Sequence, residues 1–483
     1  MIPPSQLLIK KFPFSPTQGQ AEFFFQMDDF LLDDERFRST FLLRGYAGTG
    51  KTTLISALVK VIEKFRYKVV LLAPTGRAAK VMSTYSGKSA HTIHKKIYRQ
   101  VADAYSGALV FQRQKNYYTR TLFIVDESSM IGDDAELGSN GLLADLIDYV
   151  FETETNKLIL VGDAAQLPPV GKTISAALDC QYLREHFDLA VLDLELTQVM
   201  RQEEQSGILL NATHLRLNVD PAGNQETVQI QLRTKSFRDI FRMGGDKLED
   251  GLRYAYNKFG VENTIIICRS NKSAMQYNRY IRQVINGSEN EIDAGDLLMI
   301  VRNNYFWLGE EAPAGFLANG DFVEIVKVKR TEEVHGFRFA TLMLRLLDYP
   351  EQPEFEAKVI LDTLHSDAPT LERDKNKQLY ERVMNDYLQI RTKRDRNEAI
   401  RRDPFLNALQ VKFAYALTCH KSQGGQWNAV FVDQGYLTQE LINIEFVRWL
   451  YTAITRATDE LFLVNFHPQF FGQDKMKEER DND

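Results

Sequence analysis

Cysteine is scarce in this chain: 483 residues hold only Cys180, Cys268 and Cys419, none of them in a C-x-x-C pair. That spacing excludes a disulfide scaffold, a cysteine zinc site and an iron–sulfur cluster, and it suits a reducing cytoplasm. Long apolar runs are missing as well. No stretch reaches the roughly 18 residues that a membrane-spanning helix needs. The opening MIPPSQLLIKKF lacks the apolar core and small-residue cleavage site of a signal peptide, so no membrane partner is expected. Nor is there a large charge excess. With 59 basic and 65 acidic residues the net charge is −6, which neither marks nor excludes a nucleic-acid partner, because only the charge lining a groove matters there. What remains is 44% hydrophobic and 26% charged, the balance of a globular protein, with length for about three or four domains.

Against that plain background one stretch stands out. Gly45-Tyr46-Ala47-Gly48-Thr49-Gly50-Lys51-Thr52 reads G-x-x-x-x-G-K-T and continues into Thr53. The apolar run Phe41-Leu42-Leu43 leads in, and Leu54, Leu58, Val59 and Ile62 leave at helical spacing, which is the strand–loop–helix setting a phosphate loop requires. Gly45, Gly48 and Gly50, with Thr49 between, let backbone amides curl around phosphate oxygens, and the helix N-terminus adds its positive end. Lys51 would reach the β- and γ-phosphates of ATP, and Thr52 would ligate Mg²⁺.

Around this loop the chain alternates short apolar runs with helical patterns. Val69–Leu72, Leu122–Val125 and Leu158–Val161 are continuous β-rich runs, the mark of parallel strands covered on both faces. A second set, Thr264–Cys268, Val430–Val432 and Leu461–Val464, predicts a second α/β domain. Between its strands lies a long insertion. Its first part is β-like and has the Asn319-Gly320 turn signal, which reads as a small barrel. Its later part, 371–403, is helical, with Tyr380, Val383, Met384, Tyr387 and Leu388 on one face. Within the first domain, Ala108–Phe111 and Asn116–Tyr118 flank the polar Gln112–Lys115 and suggest a small hairpin. The expected division is therefore 1–98 and 121–180 for the first α/β domain, 99–120 for the hairpin, 181–285 and 411–483 for the second α/β domain, and 286–410 for the barrel with its helical elaboration.

Several segments carry chemistry. Phe123-Ile124-Val125 ends in Asp126 and Glu127, seventy-five residues after Lys51. At a strand's C-terminal end Asp126 would hold the metal, and Glu127 would position and deprotonate the attacking water. Gln166, in Gly162-Asp163-Ala164-Ala165-Gln166-Leu167-Pro168-Pro169, offers a neutral amide suited to sensing a γ-phosphate or its water. Arg201 and Arg456 are candidate arginine fingers if the second α/β domain faces the nucleotide. Thr418, His420 and Lys421 offer a hydroxyl, a ring and a cation for a phosphodiester backbone. Ala73-Pro74-Thr75-Gly76-Arg77 and Ser89-Ala90-His91-Thr92 offer similar chemistry in the first half. Thr17 and Gln20 stand in capping-box spacing, so a helix cap is the simpler reading of Gln20 and an adenine contact the sharper one.

Taken in order, TQGQ, GYAGTGKTT, LLAPTGRAAK, SAHTIHK, FIVDESSM, KLILVGDAAQLPPVG, LTQVMRQ, YALTCHKSQGGQW and LYTAITRATDELFLV resemble the superfamily 1 helicases, in their RecD/Dda-like, 5′-to-3′ branch. The resemblance implies two RecA-like domains with ATP and Mg²⁺ between them and single-stranded DNA across their tops. It assigns Gln20 to adenine; Lys51 and Thr52 to phosphates and metal; and Asp126 and Glu127 to metal and water. Gln166 becomes the γ-phosphate sensor, with Arg201 and Arg456 as fingers. Pro74, Thr75, His91, Thr92, Thr418, His420 and Lys421 would line the DNA path, and the hairpin near Phe111 sits where the family carries its strand-separating pin. The insertion matches the family's SH3-like barrel. Gln426 stands where many relatives carry Glu, so the ribose contact of that residue does not carry over. A compact chain without an N-terminal accessory region, acting as a monomer at single-strand/duplex junctions, is the resulting expectation. An RNA helicase and a DNA-stimulated remodelling ATPase are the alternatives.

Overall fold

The computed structural model describes residues 2–33, 35–102, 109–133, 140–199, 205–219, 228–309 and 312–471. Helices α1 (Pro4–Lys11) and α2 (Gln18–Leu32) precede the first strand. Six strands then build one parallel sheet: β1 (Ser39–Gly45), β2 (Lys68–Ala73), β3 (Ala90–Thr92), β6 (Thr121–Val125), β7 (Lys157–Gly162) and β8 (Ala190–Leu196). Their order is β3-β2-β6-β7-β1-β8, with every neighbouring pair parallel. Helices α3 (Lys51–Val61), α4 (Gly76–Ser86), α5 (Ile93–Ile97), α6 (Leu142–Val150) and α7 (Cys180–Phe187) connect them. β6 and β7 are buried along their whole length, as strands covered on both faces must be. One apolar cluster, holding Phe23, Phe41, Leu54 and Leu58, packs on one side of the sheet, and another, holding Leu42, Phe123, Leu146 and Leu160, on the other.

The sheet reaches further than the boundary at residue 180 drawn from the sequence. β8 pairs with β1 along its full length, so α7 and β8 belong to the first layer. Asp193 and Glu195 interrupt the apolar run of β8, because an edge strand needs only one neighbour and one covered face.

The hairpin also has a different register from the expected one. β4 (Tyr98–Ala102) pairs antiparallel with β5 (Leu109–Arg113), so the partner of 109–113 lies before it rather than at 116–118. Asn116 is instead a buried anchor, its side-chain amide donating to Tyr149 O at 2.7 Å. Phe111 lies on β5 opposite Gln100.

The second parallel sheet has five strands: β9 (Ile240–Met243), β10 (Thr264–Cys268), β16 (Ala416–Thr418), β17 (Trp427–Asp433) and β18 (Ala457–Val464). Their order is β16-β10-β17-β18-β9. Helices α8 (Gly207–Arg216), α9 (Leu248–Phe259), α10 (Asn271–Tyr280), α13 (Cys419–Ser422) and α14 (Ile444–Ile454) accompany it. Between β10 and β16, strands β11 (Leu297–Ile300), β12 (Phe322–Val334), β13 (Phe337–Leu346), β14 (Phe355–Ile360) and β15 (Leu409–Phe413) close into a barrel. β15 thus belongs to the barrel and not to the second sheet, past the expected 410/411 boundary.

The barrel's helical elaboration is α11 (Arg373–Asp386) and α12 (Lys393–Arg401). Leu379 and Val383 are its inward residues, packed with Phe337, Phe339 and Leu371, whereas Tyr380 and Leu388 are about half exposed, at 49% and 54%. The buried stripe is therefore narrower than the sequence pattern and rotated from it. Among the described residues no helix is long and apolar enough to cross a membrane.

Candidate nucleotide and nucleic-acid site

Three adjacent strands deliver the nucleotide chemistry. β1 runs into the phosphate loop, its neighbour β7 runs toward Gln166, and the next strand, β6, runs into Asp126 and Glu127. Parallel strands put all three sets at one sheet edge. Gly48 and Gly50 hold φ of 75° and 85°, left-handed values that glycine adopts without strain. Gly45 faces Thr49 so closely that a Cβ there would lie 2.8 Å from Thr49 Oγ1. Lys51 Nζ folds back over the loop and donates to Gly45 O at 2.6 Å and Tyr46 O at 2.9 Å. The ammonium thus stands in the bowl where phosphate oxygens would accept from it. Thr52 is exposed on the first turn of α3, and Thr53 is partly covered.

The two carboxylates at the end of β6 sit in different environments. Asp126 accepts from the Tyr85 hydroxyl at 2.7 Å and from the Glu127 amide at 2.8 Å, which fixes its orientation and leaves lone pairs for a hydrated metal. Glu127 has φ 53°, a left-handed conformation that costs a non-glycine residue about 1–2 kcal/mol. That turn carries its carboxylate across the cleft to Arg456, with Nη1 and Oε1 3.7 Å apart. Burial pushes the Glu127 carboxyl above the usual carboxylate range, the Arg456 guanidinium opposes that shift, and Asp126 adds to it. A carboxyl poised upward in this way is what a general base near neutrality needs.

Arg456 is 3% exposed. It lies between α14 and β18, where its guanidinium also donates to Thr452 O at 3.1 Å and Gly425 O at 3.4 Å. Gln166 is buried, and its side-chain oxygen has no hydrogen-bond partner. A buried amide oxygen without a partner at a cleft fits a water or ligand group that completes it. These donors and acceptors together fit ATP and a hydrated Mg²⁺. Arg201 lies outside the described residues.

Gln20 closes both halves of its capping box, Thr17 N–H donating to Gln20 Oε1 at 3.0 Å and Gln20 N–H to Thr17 Oγ1 at 3.4 Å. Its Nε2 also donates to Thr49 O at 3.0 Å. An adenine contact would require this amide to release one of these partners, so the cap is the role the geometry displays.

Residues expected on the DNA track divide into two kinds. Thr75 and Thr92 spend their hydroxyls capping α4 and α5, accepting from Ala78 N–H and Lys95 N–H at 3.2 Å each, and Thr92 is 1% exposed. Pro74 is partly covered and His91 exposed, both at the C-terminal ends of their strands. Thr418, His420 and Lys421 follow β16 at the matching edge of the second sheet, and burial lowers the pKa of both His420 and Lys421. Gly424, at φ 73°, brings this segment against the first domain: a Cβ there would lie 2.7 Å from Ala78 Cβ.

Sequence reasoning missed the residues that stitch the cleft. Tyr451 Oη donates to Asp163 Oδ2 at 2.6 Å and accepts from the Ala47 amide at 2.8 Å. Leu167 N–H donates to Thr452 Oγ1 at 2.9 Å, and Gln423 Nε2 donates to Leu167 O at 2.7 Å. Tyr451 lies in the quoted LYTAITRA string, but on a helix with a mostly buried apolar face it reads as core.

The residues 33–230 match the family model described as AAA domain, and 413–464 match the UvrD-like helicase C-terminal domain. An uncharacterized protein of Acanthamoeba polyphaga mimivirus is 23% identical over 87% of this chain and 94% of its own length. The ATP-dependent RecD2 DNA helicase of Deinococcus radiodurans is 31% identical over 40% of this chain but only 26% of its own length. The ATP-dependent DNA helicase dda of Enterobacteria phage T4 is 25% identical over 60% of this chain and 63% of its own. A solved Pif1 helicase from Bacteroides aligns with 95% of this chain and 94% of its own at 15% identity, with a TM-score of 0.46.

Two facing parallel α/β sheets with a phosphate loop on one and an arginine from the other define a two-domain P-loop nucleoside triphosphatase. Within that class the chain is similar to the superfamily 1 helicases of the RecD/Dda type, through the matches over 33–230 and 413–464 and through its RecD2 and dda relatives.

Proposed function

We propose that this chain translocates 5′-to-3′ along single-stranded DNA and separates duplex ahead of it, driven by Mg-ATP hydrolysis between its two α/β domains. The observation that carries this reading is the meeting of Glu127 with Arg456 across the cleft at 3.7 Å, beside the unpartnered Gln166 oxygen. Those residues come from different sheets, so hydrolysis chemistry and domain spacing are one variable.

When bound, ATP supplies a transferable phosphoryl group and Mg²⁺ the charge that neutralises it. The chain's own residues do the rest. Lys51 leaves the loop carbonyls to hold phosphate oxygens. Asp126, oriented by Tyr85, and Thr52 would hold the metal. Gln166 orients the attacking water and Glu127 accepts its proton. Arg456, and Arg201 in the same family role, stabilise the charge that develops. Because Tyr451 and Thr452 tie the second domain to the phosphate loop and to Leu167, a change at the γ-phosphate biases the cleft between two spacings. Pro74 and His91 on one side, flanked by the helix-capping Thr75 and Thr92, and Thr418, His420 and Lys421 on the other, then alternate their grip on the strand. The hairpin carrying Phe111 is the proposed wedge, and the direction follows from the RecD/Dda resemblance.

Steady-state ATPase assays test this reading. Single-stranded DNA is expected to raise turnover strongly in the wild type, and Lys51→Ala to abolish turnover while leaving DNA binding intact. Stimulation by RNA alone would redirect the substrate, and no stimulation by either polymer would contradict the reading.

A further inference from the structure

The barrel does not hang free of the first domain. It rests on the segment proposed to hold DNA, and the contact is made of charges. Asp348 Oδ1 lies 3.4 Å from Arg77 Nη1 and 3.3 Å from Lys80 Nζ. Asp321 Oδ2 lies 3.7 Å from Lys95 Nζ. Arg77 and Lys80 belong to α4 and Lys95 to α5, the two helices capped by Thr75 and Thr92. Asp321 and Asp348 flank β12 and β13 of the barrel, and both side chains are fully buried. A Cβ added to Gly320 would lie 4.0 Å from Thr75 Cβ, and one added to Gly76 would lie 2.1 Å from Asp321 Oδ1. One carboxylate therefore sits at the N-terminus of α4, and a second sits between that helix's two cations.

This contact is poorly completed for a permanent interface. Lys95 Nζ, Asp321 Oδ1, Asp348 Oδ2 and the Tyr349 hydroxyl are all buried there without a hydrogen-bond partner. Lys95 is held by the rings of Tyr349 and Phe316, at 4.2 and 5.1 Å, rather than by a hydrogen bond. Buried polar groups in settled interfaces are nearly always paired. Each carboxylate is bonded through one oxygen only, Asp348 Oδ1 accepting from Arg77 Nη1 at 3.4 Å and Asp321 Oδ2 from the Ala318 amide at 2.7 Å, and the half-completed set favours a contact that another ligand can replace. The replacing ligand must be anionic and must present several acceptor oxygens to three cations and a helix N-terminus. A DNA backbone phosphate has those properties.

We propose that Asp321 and Asp348 form an autoinhibitory latch that holds the barrel over the first domain's DNA track, and that Arg77, Lys80 and Lys95 bind a backbone phosphate once it opens. The inference rests on the DNA-translocase reading above. In the latched state the carboxylates stand where phosphate oxygens go, so strand entry and latch opening exclude one another. Apparent affinity is then the intrinsic affinity scaled by the fraction of open molecules.

The test measures binding of a fluorescent single-stranded oligonucleotide to the full chain without nucleotide, over a range of salt concentrations. Asp348→Asn is expected to tighten binding about threefold or more by raising the open fraction. Glu333→Gln removes the same charge from an exposed position at the far end of β12 and is expected to leave affinity nearly unchanged. Adding Lys80→Gln to Asp348→Asn is expected to weaken binding and to reduce the slope of log K against log salt by about one, the signature of a lost phosphate contact. Unchanged or weaker binding by Asp348→Asn overturns the latch, as does an equal gain from Glu333→Gln. An unchanged salt slope overturns the phosphate site. If neither wild type nor variants bind, the DNA reading itself fails; if the wild type binds and Asp348→Asn gains nothing, only the latch does.

Discussion

Tyr451 Oη donates to Asp163 Oδ2 at 2.6 Å and accepts a hydrogen bond from the Ala47 amide at 2.8 Å, so one hydroxyl joins the second domain to two loops of the candidate nucleotide site. Tyr451 is fully buried and Asp163 is 1% exposed, which makes the hydroxyl hard to replace with water. Tyr451→Phe is expected to lower DNA-stimulated kcat about tenfold, with KM for ATP changed less than about twofold, since losing a buried bond to a charged group costs about 1.5–3 kcal/mol. Steady-state ATPase kinetics check this, and thermal melting is expected to show a lower Tm from the unpaired Asp163 oxygen.

The Glu127–Arg456 pair predicts a pH signature. Glu127 is raised by burial and restrained by Arg456. Its charged form is the base, so kcat falls on the acid side as it protonates. Arg456→Gln removes the cation that favours ionised Glu127. The acid limb of the kcat profile is expected to move to higher pH as well as to lower kcat throughout. A pH–rate series on both proteins reads this.

Asp321 predicts a stability signature. Burial raises its pKa from 3.8 to about 6, against the opposing pull of Lys95 and with a push from Asp348. A raised folded-state pKa means that the folded protein binds the proton more tightly than the unfolded chain does. The stabilising term is complete below about pH 4 and is lost as pH rises through about 6. Asp321→Asn is therefore expected to raise Tm at pH 7.5 relative to wild type, to keep about half of that advantage at pH 5 and to lose it below about pH 4. Melting curves across that pH range decide it.

Gly424 predicts an interface effect. Its φ of 73° and the 2.7 Å approach of a new Cβ to Ala78 Cβ leave no room for a side chain. Gly424→Ala is expected to destabilise by about 1–2 kcal/mol from the left-handed backbone alone. It is also expected to raise the DNA concentration for half-maximal ATPase, because it wedges the two domains apart beside the proposed strand contacts.

Local features were legible in the sequence. Gly45–Thr52, Asp126-Glu127 and the buried runs at β6 and β7 announce themselves because their chemistry and their neighbours lie within about ten residues. The barrel was legible from its short strands and turn. What was not legible depends on distant partners. β8 carries Asp193 and Glu195, so it lacks a continuous apolar run, and the sequence pattern assigns its segment to the second domain although it pairs with β1. The hairpin strands 98–102 and 109–113 pair with each other, where the sequence pattern points to 116–118. Thr75 and Thr92 read as DNA contacts but spend their hydroxyls on helix caps. Tyr451 reads as core, Asp348 and Lys95 carry no motif of their own, and only the packing of the domains brings each to its partner.

Strand separation under single-turnover conditions, with Mg-ATP and duplexes carrying a 5′ tail, a 3′ tail or no tail, tests the central claim most directly. The account predicts rapid separation of the 5′-tailed duplex, little of the other two, and none with Lys51→Ala. Preferential separation of the 3′-tailed duplex, or separation by Lys51→Ala, would contradict it.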